Sequence, residues 1–146
     1  MNYELIMLRN ALRMKSCAEK YREELQHIAL TSYNTLNFRD GTMGQIAAIS
    51  DTYQKIEECL LFYETVKNAL LVLPKGYRVL LVTVYLKKVD KKVLAKRYDV
   101  SLSTVYRKLC RARTALCNAL KNMCCDEHWF LDNYGDYEFE ERVRKR

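Results

Sequence analysis

Ser103, Arg107 and Arg111 recur at steps of four along one stretch of the chain. At 100° per residue this spacing sets them on one side of a helix, with Cys110 and Thr114 among them and Thr104 beside them. Hydroxyl and guanidinium groups with no acid between them suit one kind of chemistry. A guanidinium reads guanine through paired hydrogen bonds in a major groove, and hydroxyls and amines hold phosphate oxygens. The other side of the stretch carries Val105, Leu109, Ala112 and Leu116, whose spacing of four, three and four is a single helical face. The pattern predicts a helix from about Leu102 to Asn122, packed on one side and cationic on the other. Tyr106, Lys108 and Arg113 fall on its flanks.

Such a helix needs elements to aim it. Asp90 is suited to cap a helix over Lys91–Tyr98, because its carboxylate accepts from unpaired backbone N–H groups. Val93, Leu94 and Ala95 are expected to face inward there, with Ala95 small enough for two helices to cross closely. Asp99, Val100 and Ser101 then make a turn, and Ser101 caps the basic helix. Upstream, Tyr77, Leu80, Leu81, Val84 and Tyr85 predict a helix over Gly76–Lys88. A basic amphipathic helix alone is unspecific, since a solubilising face looks the same. A small residue, a short step to a turn and a Ser-capped basic helix together are far narrower, and they read as a DNA-binding helix-turn-helix.

From Leu73 to Leu116 the chain resembles region four of bacterial sigma factors, especially the compact extracytoplasmic-function type. The resemblance is carried by Leu73-Pro74, Tyr77-Arg78, Tyr85-Leu86, Asp90, Leu94-Ala95, Val100-Ser101, Ser103-Thr104-Val105, Arg111-Ala112-Arg113 and Leu116, matched without gaps. Asp99 stands where the family usually has glycine; Asp tolerates a left-handed turn better than most residues. Residues 1–72 carry no sign of sigma region two, which points away from a complete sigma factor. The whole order of N-terminal helices, polar loop, long helix and C-terminal sigma-like unit resembles small phage and prophage transcription regulators of the ArpU and RinA kind. The resemblance implies DNA contacts from Ser101, Ser103, Thr104, Tyr106, Arg107, Lys108 and Arg111. Lys91 and Lys92, at the start of the preceding helix, are suited to phosphates.

The charge is placed to match. Residues 75–121 hold 13 Lys and Arg against 2 Asp and Glu, while residues 1–74 hold 8 against 9 and residues 122–146 hold 4 against 7. The net charge of +7 therefore belongs to one block, and a basic block attracts a polyanion. Gly (4) and Pro (1) are too scarce for the turns of a sandwich or barrel, so the fold class is all-α. A helix is expected from Tyr3 to Leu30 and a polar loop from Thr31 to Gly44, with an Asp40-Gly41 turn step. A long helix follows from Gln45 to Leu73, stopped by Pro74. Its Ile46, Ile49, Tyr53, Ile56, Leu60 and Tyr63 follow a heptad seam, which suits an intrachain hairpin or a homodimer. The division is thus a helical hairpin or coiled coil over 1–73, a DNA-binding domain over 74–122 and an acidic-aromatic tail over 123–146. That tail, with Trp129, Phe130, Tyr134, Tyr137 and Phe139 before Arg142, Arg144, Lys145 and Arg146, reads as a short docking helix or a partly disordered end.

No apolar run approaches the ~18 residues of a membrane span, and no signal-peptide order opens the chain, so a cytoplasmic location is expected. The six cysteines are then expected as thiols. Cys110, Cys117 and Cys124 recur every seven residues, and Cys124, Cys125 and His128 lie close in sequence. Ordinary packing accounts for them better than zinc, because no second Cys-x2-Cys pair exists; a redox-sensitive Cys110 beside the basic face is the other reading. There is no phosphate-binding glycine loop, paired-carboxylate motif or Ser-His-Asp set, so no enzyme and no cofactor are expected. Three functions fit: a transcription regulator on double-stranded DNA, a sigma-like subunit of RNA polymerase at a −35-like element, and a DNA-packaging protein of the small-terminase kind.

Overall fold

The computed structural model describes residues 2–34, 41–137 and 139, leaving out the side chains of 31–34 and 41–43. The described chain is all-helical, with six α-helices and no strand. They are α1 (Tyr3–Asn34), α2 (Gly41–Val72), α3 (Lys75–Leu81), α4 (Lys91–Arg97), α5 (Leu102–Asn122) and α6 (Glu127–Tyr134). None of them is long and apolar enough to cross a membrane. Both ends of the expected Thr31–Gly44 loop are helical instead, since α1 runs to Asn34 and α2 begins at Gly41. Asn37 and Asp40 lie outside the described residues, as do Arg142, Arg144, Lys145 and Arg146.

The chain divides into two compact units, one of residues 1–11 and 65–146, the other of residues 12–64. The second unit is two helices side by side. Lys15 Nζ lies 5.2 Å from the Tyr63 ring centre and Lys55 Nζ 5.5 Å from that of Tyr21. These pairings run in opposite directions along α1 and α2, as a hairpin requires. Its core holds Met14 and Ala18 from α1 with Ile56, Cys59 and Phe62 from α2. The buried line of α2 is therefore not the heptad seam of the sequence. Ile56 is shared, but Ile46 and Tyr53 are more than half exposed, while Thr52 and Cys59 are buried. The buried side of α2 instead runs through Thr52, Ile56, Cys59 and Phe62, where the small Thr52 and Cys59 leave room for the larger Ile56 and Phe62. Thr52 stays satisfied because its hydroxyl donates to the Ala48 carbonyl at 2.8 Å.

The first unit holds the basic block. Its core is Met7 and Leu8 of α1, Leu81, Leu94, the inner stripe of α5, and Phe130 and Tyr134 of α6. α5 packs against both α3 and α4. The single helix expected over Gly76–Lys88 changes register midway: α3 ends at Leu81 and one π turn follows over Val82–Leu86. Thr83 Oγ1 donates to the Val79 carbonyl at 2.7 Å, crowding the acceptor of the regular ladder, and the Lys87 N–H reaches back to the Val82 carbonyl at 2.9 Å.

Three helical segments end without glycine. Lys88, Asp99 and Cys124 take positive φ of 54°, 52° and 59°. At Asp99 the Val100 N–H donates to Ala95 O at 3.0 Å and the Asp99 N–H to Lys96 O at 3.3 Å. The same pair recurs after α5, from Cys125 to Leu120 and from Cys124 to Lys121. Both are Schellman closures, which satisfy carbonyls left open at a helix end. Scarce glycine is thus compatible with sharp helix ends, at a backbone cost carried by Asp, Lys and Cys side chains.

The tail forms α6 over part of its length. Asp126 caps it by accepting from the Trp129 N–H at 2.9 Å. Phe130 sets its ring 6.0 Å from that of Tyr3, and both are buried.

Candidate nucleic-acid interface

α5 is held from beneath by its apolar stripe. Val105, Leu109, Ala112 and Leu116 are all buried, as the spacing requires. At its start the Ser101 hydroxyl accepts from the Thr104 N–H at 3.2 Å and lies 2.8 Å from Thr104 Oγ1. Before the turn, Asp90 accepts from the Lys92 N–H at 3.2 Å and so caps α4. Leu94 and Ala95 face inward, but Val93 does not; it is 47% exposed. A helix of two turns has one buried side, and Leu94 and Ala95 already fill it; the β-branched Val93 falls outside.

The opposite side of α5 is solvent-facing and cationic. Ser103, Tyr106, Arg107, Lys108, Arg111 and Cys110 are exposed, and Thr104 is half-buried. Among the described residues, Arg107, Lys108 and Arg111 have no ion-pair partner. Their charge stays available to an external anion. Arg113 differs: its guanidinium lies 3.9 Å from Glu4 of α1, so it is engaged within the unit. Thr114 also turns away from a reading role, since its hydroxyl donates to the Cys110 carbonyl at 3.0 Å.

Lys91 and Tyr106 meet. The ammonium lies 4.8 Å from the ring centre, a cation–π distance. The contact ties the first residue of α4 to the flank of α5, bringing two sequence-predicted residues together. Lys92 is exposed beside them. Ser101 and Thr104 are joined to each other in the cap of α5. Lys87, Lys88, Lys96 and Arg97 are also exposed on this unit. The charge count foreshadows them, but no spacing rule singles them out.

The cysteines are all free thiols. Cys124 forms the left-handed closure of α5, and Cys125 beside it is buried, its thiol pushed up by burial and then by Cys124 and Asp126. The adjacent pair thus has a packing role. Among the described residues no group of three or more His, Cys, Asp and Glu is placed to hold a metal ion.

The chain matches no protein-family model, and no curated protein or solved structure matches it.

Proposed function

We propose that this chain is a sequence-specific, double-stranded-DNA-binding transcription regulator in which α4, the turn at 98–101 and α5 act as a helix-turn-helix of the sigma-region-four kind. One observation carries the reading: α5 buries Val105, Leu109, Ala112 and Leu116 and presents Ser103, Arg107 and Arg111 to solvent with no acidic partner among the described residues. A buried apolar stripe fixes the rotation of the helix, so the cations share one outward direction. That direction is what entry into a major groove requires. Arg107 and Arg111 suit base edges, while Lys91, Lys92 and Lys108 suit phosphates on either side. Ser103 adds a hydroxyl at the N-terminal end of the helix, where base edges are met first.

The regulator is proposed as the phage or mobile-element late-gene type. Selection of bound fragments from a genomic pool, followed by sequencing, tests it. A regulator enriches a common motif. Uniform recovery of all fragments would reduce the face to a general polyanion binder. Two other outcomes replace the reading: co-purified RNA polymerase identifies a sigma-like subunit, and a ring of eight or more copies identifies a packaging protein.

A further inference from the structure

Beside α5 lies a pocket that shares Lys108 and Arg111 with the proposed DNA face but whose apolar walls that face does not use. It measures about 550 Å³ and sits between α3, α5 and the α4–α5 turn. This size falls within the ~300–1,000 Å³ of small-molecule sites. Val79, Leu80 and Val100 give it apolar walls, and the buried Leu94 and Val105 mark its floor. Lys75, Lys108 and Arg111 also line it, and all three are exposed, which puts them at its mouth. No Asp or Glu is among the lining residues. Tyr77 and the exposed Tyr98 are part of the lining as well. Apolar and aromatic walls with cations and no acid at the open side complement one chemistry: an apolar body that leaves water and an anionic head that keeps a charged partner.

We propose that this pocket binds a small amphipathic organic anion, its aromatic or alkyl body inside and a carboxylate-class head against Lys108 and Arg111. The pocket has a consequence for the face beside it. Lys108 and Arg111 belong to both, so a bound anion and a DNA duplex compete for the same positive charge. This competition, unlike the site itself, rests on the DNA reading.

Titration of the full chain with naphthalene-2-carboxylate, followed through its backbone amide shifts, tests the site. The expected result is saturable binding with the largest shifts at Val79, Leu80, Val100 and Val105. The carboxylate should bind about tenfold or more tighter than neutral naphthalene-2-carboxamide, the effect of one charge-assisted contact. Replacing both cations (Lys108→Gln with Arg111→Gln) should remove that preference. Equal binding of acid and amide, shifts centred elsewhere, or no saturable binding overturns the proposal. The competition is read separately with a labelled duplex. A chain that binds the carboxylate but no duplex keeps the pocket and loses the DNA reading. A duplex affinity unmoved by saturating carboxylate overturns the competition.

Discussion

The Lys91 ammonium stands over the Tyr106 ring, 4.8 Å from its centre. The two residues belong to different helices, one on each side of the turn at 98–101. At a partly exposed site such a contact contributes roughly 0.5–1 kcal/mol. Its larger effect is positional: it restrains a long, flexible cation beside the face that Arg107 and Arg111 occupy. Lys91→Ala should weaken binding to every duplex alike and lower the salt slope by about one. Tyr106→Leu keeps the charge but frees it, so affinity should fall while the slope stays near that of the parent. Binding measured over a salt series separates the two; a common slope for parent and Lys91→Ala would exclude Lys91 from the phosphate contacts.

Arg107 lies between Ser103 and Arg111 on the solvent-facing side of the N-terminal half of α5. Arg107→Ala should relax sequence preference and cost ~1–3 kcal/mol on the preferred duplex, with little change on a scrambled one. The check is a pair of affinities measured at one salt concentration. Equal losses on both duplexes would make Arg107 a phosphate contact.

The turn makes its own prediction. Asp99 holds φ of 52°, where a β-branched side chain is strained. Asp99→Val should lower folding stability by ~1–2 kcal/mol, whereas Asp99→Gly should leave it within ~0.5 kcal/mol, because lost strain offsets added unfolded-state freedom. Denaturant unfolding of the two variants decides this, and equal stabilities would contradict the conformation of the turn.

These residues also show where the sequence is legible. The inner stripe of α5 could be read directly because its apolar and charged residues are cleanly separated, so period alone picks the face. The turn was legible because Asp90 and Ser101 are capping residues at the required spacing. α2 was not. Its apolar residues lie on more than one side, Leu61, Leu71 and Val72 being exposed as well as Ile46 and Tyr53, so period alone does not pick out the buried line through Thr52, Ile56, Cys59 and Phe62. The π turn at Val82–Leu86 escaped for another reason: it depends on which carbonyl the Thr83 hydroxyl takes, a competition that hydrophobic pattern does not record. The Lys91–Tyr106 contact likewise needs the angle between two helices, which spacing along either one does not supply.

Burial of Cys59 gives a pH dependence. Its thiol is pushed up to about 11 from 9.0, first by burial and then by the neighbouring Cys17 and Glu58. In the unfolded chain the thiol ionises at the lower value, so the folded state holds its proton more tightly. Stability from this group is intact below pH 9.0 and is lost as pH rises toward about 11. Tyr3, buried and beside Cys117, is pushed in the same direction and adds to the loss. Cys59→Ala should therefore show a shallower fall in urea midpoint across this range than the parent. An identical fall would mean that Cys59 does not titrate as a buried thiol.

On the proposed function, the outward face of α5 reads DNA. The most direct measurement of this role is the affinity of the parent and of Arg107→Ala with Arg111→Ala for the motif recovered by fragment selection and for a scrambled duplex of equal length. The parent should prefer the motif, and the double variant should lose that preference while keeping its fold and its weak binding to both duplexes. A double variant that still prefers the motif, or a parent that binds both duplexes equally, would contradict this role.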